Sequence, residues 1–133
     1  MMYLLDTNMV SDLVRVPRGR VAQRVQAVGE AHVCTSIVVA AELRYGAAKK
    51  GSARLTEQLE AVLGALNVLP LEEPADETYG SIRARLERAG RPIGANHLLI
   101  AAQTVALGHT LVTDNEREFT RVQGLVCENW LRE

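Results

Sequence analysis

Short, largely apolar runs, separated by stretches of helical periodicity, constrain this chain more than any other feature. Tyr3 to Asp6 (YLLD), His32 to Thr35 (HVCT), Asn67 to Leu71 (NVLPL) and Thr110 to Asp114 (TLVTD) are four such runs; Gly124 to Glu128 (GLVCE) is a weaker fifth. Apolar runs this short, bounded by turn residues, predict strands buried on both faces. Between them, Leu55, Leu59, Val62, Leu63 and Leu66 recur at the three-and-four spacing of one helix face. Ala75, Tyr79, Ile82, Leu86 and Ala89 do the same, with Gly90 as a stop, and Leu98 to Leu107 is closed by Gly108. Ser36 to Lys50 reads as another helix, with two lysines at its C-terminal end; Asn8 to Arg15 and Val21 to Val28 are weaker candidates. Strands alternating with helices predict an α/β fold, a parallel sheet covered by helices on both sides. The carboxyl edge of such a sheet is the expected site.

The chain's 133 residues predict a single domain. A formal net charge of −1 excludes the strongly basic field of a general nucleic-acid binder. Thirteen of the fifteen basic residues are Arg, which suits phosphate contacts but equally reflects a biased composition. Cys34 and Cys127 each lie in an apolar run and read as small core residues without a disulfide. No apolar run approaches the ~20 residues of a membrane span, and the start MMYLLD lacks the pattern of a signal peptide. The expected location is the cytoplasm, with no membrane contact.

Of the four Asp residues, Asp6 and Asp114 stand at the carboxyl ends of the first and fourth predicted strands, in the triplets DTN and TDN. A single Asp there is ordinarily a turn or cap residue, but two after strands suited to the sheet centre suggest a shared site. Glu42 interrupts the apolar segment IVVAAELRYGA. A partner or a metal would explain it, and a pair with Arg44 or solvent at the helix edge would do so equally. His97 falls in the first turn of its own helix, with Asn96 as the expected N-cap. That turn carries free amides and favours an acid, so an imidazole is unexpected there. Carboxylates with no nucleophilic Ser or Cys beside them suggest a hard divalent cation, hence metal-dependent phosphodiester hydrolysis.

YLLDTN, TSIVVAAELRYGA, IGANHLLIAAQ and LVTDNEREF, taken in order and at these intervals, resemble the PIN-domain ribonucleases, and most of all the VapC-type toxins of bacterial toxin–antitoxin pairs. The resemblance covers nearly the whole chain, 1–133. It implies a PIN-like α/β/α sandwich around a five-stranded parallel sheet, with a Mg²⁺ or Mn²⁺ site and endonucleolytic cleavage of tRNA or ribosomal RNA. It further implies a homodimer and a cognate VapB-like antitoxin, wrapped on the helices between Asn8 and Leu66, with operator DNA reached only through that antitoxin. Asp6, Glu42 and Asp114 match the family's first, second and fourth acids; Thr7, Asn8, Thr113 and Asn115 fall on its small polar positions, and Glu118 near a further acid. Arg15, Arg18 and Arg20 are candidates for guiding the RNA backbone.

His97 departs from the pattern, since the family carries its third acid there. Three readings are open. In the first and favoured one, His97 inactivates an otherwise normal nuclease, because a toxic enzyme is easiest to produce once its metal site is damaged. In the second it is a ligand that shifts the preference toward Mn²⁺ or a softer ion. In the third the chain is a silent interaction module acting through antitoxin binding and operon autoregulation. A receiver-like phospho-acceptor role for Asp6 fails, because the only lysines are Lys49 and Lys50 and position 8 is Asn. His32 and His109 are expected to be structural, the latter as a cation after a helix end, and Trp130 to anchor the C-terminal tail.

Overall fold

The fold is organised by its central strand. A computed structural model describes residues 1–132. Its elements run β1 (Tyr3–Leu5), α1 (Thr7–Arg15), α2 (Arg20–Val28), a 3₁₀ turn (Glu30–His32), β2 (Val33–Ser36), α3 (Ile37–Lys50), α4 (Ala53–Ala65), β3 (Asn67–Leu69), α5 (Ala75–Arg88), α6 (Ala95–Leu107), β4 (Thr110–Val112), α7 (Glu116–Phe119) and β5 (Val126–Glu128). All neighbouring strands are parallel, in the order β3-β2-β1-β4-β5. Every expected strand is present, most of them trimmed by a residue or two.

Burial follows from this order. β1 lies between β2 and β4, and Leu4, Leu5, Val33, Cys34, Leu111 and Val112 are all buried. The edge strands are less covered, and Val126 of β5 is 60% exposed, which is why the fifth run carries the weakest apolar signal. After β1 the chain steps to β2 and β3 on one side, then returns past β1 to β4 on the other. The direction of winding therefore reverses between β1 and β4. Crevices in open parallel sheets form beside the carboxyl ends of strands at such a reversal.

The helices stop and start where local chemistry dictates. The Ser36 hydroxyl accepts from the Val38 amide, capping α3, and Ser52 caps α4 through the Leu55 amide. Gly108 ends α6 at φ 69°, a left-handed conformation that side chains with a Cβ rarely adopt. One expectation needs correction: α6 begins at Ala95 with Gly94 as its N-cap, so Asn96 is inside the helix and its side chain is free for another use. Both cysteines are unpaired, and burial raises each thiol to about 11. Trp130 is 2% exposed and anchors the tail as expected. His32 closes the turn before β2. His109 corrects its assignment as a cation: burial, and then the N-terminal amine, lower its affinity for a proton. Among the described residues, no helix is long and apolar enough to cross a membrane.

Leu111 and Val126 test this burial gradient directly. Leu111→Ala, in the centre, is expected to lower the urea unfolding free energy by about 2–5 kcal/mol. Val126→Ala, on the exposed edge, should change it by no more than about 0.5 kcal/mol.

Candidate active site

Asp6 directly follows β1 and occupies the N-cap position of α1, yet its side chain makes no capping hydrogen bond. That separates it from the ordinary role of an Asp at a strand end. The carboxylate is 2% exposed. Its Oδ2 accepts a 2.8 Å hydrogen bond from the Thr113 hydroxyl, across the gap between β1 and β4. Its Oδ1 is buried with no hydrogen-bond partner. A buried carboxylate oxygen left unpaired is costly, and few such atoms survive in a native fold without a use.

Each remaining acid is tied into a circuit around Asp6. Glu42, one turn and a half into α3, accepts from the Thr7 hydroxyl at 2.7 Å and from the Asn96 side-chain amide at 3.2 Å. Thr7 follows Asp6 and Asn96 precedes His97, so Glu42 links the starts of α1 and α6. Arg44, the alternative partner for Glu42, pairs with Glu60 instead. Glu118 closes the other side. It accepts from the Gly94 amide at 2.7 Å and from the Asn115 side chain at 3.1 Å. The Asn115 amide in turn donates to the Thr113 hydroxyl at 3.0 Å.

His97 stands inside this circuit. Its Nδ1 lies 2.9 Å from Glu118 Oε1, without the alignment of a ring N–H hydrogen bond. Its ring packs on Phe119, with centroids 5.0 Å apart. The imidazole is therefore accommodated by its neighbours.

Asp114 sits at the rim. Its backbone amide donates to Asn8 Oδ1 at 3.2 Å, and its Oδ1 accepts from Asn129 at 2.9 Å. Arg132 approaches within 3.8 Å. Thus Asp6, Thr7, Asn8, Glu42, His97, Thr113, Asp114, Asn115 and Glu118 share one edge of the sheet. Arg15, Arg18 and Arg20 do not join them. Arg15 ends the nine-residue α1, roughly 13 Å along the axis from Asp6 at 1.5 Å per residue. Arg18 lines a groove elsewhere, and Arg20 donates to the Leu131 carbonyl. α1 carries Arg15 away from the acids, whereas Arg20 reaches the C-terminal segment two residues from Asn129. Asn96 and Asn129 are site residues that sequence reasoning missed. An Asn bonded to a distant carboxylate leaves no local signature.

The electrostatics match the geometry. Burial pushes the Asp6 carboxyl above its ordinary range; the Thr113 hydroxyl, the Thr7 amide and the His97 ring pull it back, while Glu42 adds to the rise. For Glu118, burial acts upward, but His97, the Gly94 amide and Asn115 together outweigh it and hold the group below the usual value. The unpaired oxygen of Asp6 is one point where a cation would find a ligand. Yet among the described residues no three His, Cys, Asp or Glu side chains gather to hold a metal ion. Glu42 and Glu118 spend their oxygens on protein donors, and residue 97 brings an imidazole instead of an acid. As arranged here, the residues do not fit a divalent cation.

The chain matches the family described as "PIN domain" over residues 3–125. It is 33% identical over 132 residues to the ribonuclease VapC2 of Rickettsia felis, with 98% of each chain covered. It is 35% identical over 129 residues to the tRNA(fMet)-specific endonuclease VapC of Shigella flexneri, covering 96% of this chain and 97% of the relative. Among solved structures, VapBC2 from Rickettsia felis bound to a promoter DNA fragment superposes with a TM-score of 0.91 at 32% identity, over 98% of this chain and 99% of that one. The DNA-bound VapBC of Salmonella typhimurium gives 0.87 at 32% identity, over 98% of both chains.

Asp6 gives a pH-dependent test. Its raised proton affinity means the folded state holds a proton that the unfolded chain has released, so stability falls as pH rises from the unfolded value of 3.8 through the folded one. Asp6→Asn removes that ionisation. The variant should melt higher than the unaltered chain at pH 7, and the gain should vanish below about pH 3.8 in a calorimetric series.

Proposed function

The chain belongs to the PIN domain family, with VapC ribonucleases among its relatives, and from that premise we propose that it is an endoribonuclease toxin of a toxin–antitoxin pair. We take its substrate to be a tRNA or ribosomal RNA and its cleavage to depend on Mg²⁺ or Mn²⁺, with His97 impairing the site. The observation that carries the reading is the buried, unpaired Asp6 Oδ1 at the winding reversal, with Glu42, Asp114 and Glu118 on the same edge. A related endonuclease is named for tRNA(fMet), which supports tRNA as the first substrate to try.

The side chains have assignable tasks. Asp6 offers an unpaired oxygen to take a proton from an attacking water, and Thr113 holds the carboxylate's other oxygen still. Glu42, through Thr7 and Asn96, fixes the starts of two helices against each other. Hydrolysis of a phosphodiester among acids also needs positive charge at the phosphate. The family meets that need with a cation held by carboxylates. With His97 in place of one of them, this chain gathers too few, and impairment follows.

The partner reading rests on a second surface. An apolar groove of about 650 Å³ runs between α1, α2 and α4, bordered by Leu13, Pro17, Val25, Val62 and Leu66. Leu59 is committed to the core, so of the apolar face on α4 it is Leu66 and Val62 that face this groove. A groove of this size and character suits an apolar segment of a VapB-like antitoxin, and structural neighbours are described as VapBC complexes. Operator DNA would then be met through the antitoxin. For the homodimer, α3 offers exposed Ile37 and Tyr45, which a second copy would cover.

His97→Asp tests the nuclease reading. Incubated with total RNA in Mg²⁺, the variant should cleave faster than the unaltered chain by roughly tenfold or more, a change of about 1.4 kcal/mol in barrier. Equal rates from two well-folded proteins would remove the impairment claim. No cleavage by either, with antitoxin and operator binding intact, would favour the silent-module reading. The groove is tested apart from activity: Ala61→Arg, at an exposed position of its lining, should abolish co-purification with the co-expressed antitoxin while leaving the melting temperature nearly unchanged.

A further inference from the structure

We infer that Asn129 is a positioning residue for the acidic edge, holding Asp114 and Glu116 in fixed relation through its side-chain amide. The Asn129 nitrogen donates to Asp114 Oδ1 and to Glu116 Oε1, both at 2.9 Å. One neutral group thus serves two carboxylates that would otherwise repel each other across a short loop. The orientation of the amide is decided independently. Its oxygen accepts from the Leu131 backbone amide at 2.9 Å, so the nitrogen must face the acids.

Asn129 is itself held firmly. It follows β5, where the Glu128 carbonyl accepts from the Thr113 amide at 2.9 Å, immediately beside Asp114. Trp130 comes next and is buried against Tyr3, with ring centroids 5.2 Å apart. The Trp130 indole donates to Glu128 at 3.0 Å, and the Arg24 guanidinium lies 5.3 Å over the ring. These anchors leave residue 129 little freedom, and a fixed donor is what a half-exposed carboxylate needs to keep one rotamer.

The inference rests on the nuclease reading in one respect: Asp114 matters to turnover only if the acids act on RNA. Two variants separate positioning from folding. Asn129→Asp keeps an oxygen for the Leu131 amide but loses the donor and adds a charge; Asn129→Ala loses both. Scalar couplings at Asp114 should report a single χ1 rotamer in the unaltered chain and rotamer averaging in both variants. In the His97→Asp chain, each variant should lower kcat for RNA cleavage about tenfold with KM little changed. An Asp114 that keeps one rotamer in Asn129→Asp, or undiminished turnover there, overturns the proposal. If Asn129→Ala fails to fold, Asn129→Asp decides alone. A His97→Asp parent that cuts no RNA would sink the nuclease reading instead, and the couplings would still settle Asn129.

Discussion

The hydrogen bond from the Thr113 hydroxyl to buried Asp6 joins two strands that are 107 residues apart in the chain, and the rest of the site is arranged around it. It forms because β1 and β4 pair in parallel, so both chains leave the sheet at the same edge. Burial makes the Asp6 charge costly, and that cost is only partly offset by one hydroxyl. A fold that keeps such a group in its centre gives up stability there as the carboxyl ionises. The surrounding apolar strands supply the low dielectric that makes the carboxylate basic.

Around Asp6 the polar groups are joined mainly by donors from small side chains. Thr7, Asn96 and Asn115 each satisfy a carboxylate oxygen, and each stands beside another member of the site. The starts of α1 and α6 and the short α7 are thereby locked together. His97 enters this network as a well-packed member, stacked on Phe119 and close to Glu118. Its ring packs on Phe119, while its Nδ1 is buried without an aligned hydrogen bond.

The C-terminal strap connects this edge to α2. Residues 128–131 touch the acids through Asn129 and touch α2 through Arg24 and Arg20. Helix α2 is also a wall of the apolar groove. The groove and the acids are therefore served by common elements, though they face different surroundings: one apolar, one charged.

Much of this was readable from residue order alone. The apolar runs predicted all five strands, the three-and-four spacing predicted the long helices, and Asp6 and Asp114 were found because strand ends can be located from local patterning. Such signals are local, set by the period of a strand or helix and by the cost of burying a charge. Other features depended on strand order, which no local pattern encodes. Asn96, expected as a cap, bonds Glu42, 54 positions away, and nothing local marks Asn129. Arg15 is near Asp6 in sequence, yet the length of α1 separates it from the acids, while Arg20 reaches the C-terminal segment at Leu131. Residue identity determined which chemistry was available at the sheet edge. Only the tertiary arrangement decided which donor met which acid, because a hydrogen bond reaches about 3 Å while its partners here are separated by as many as 107 residues.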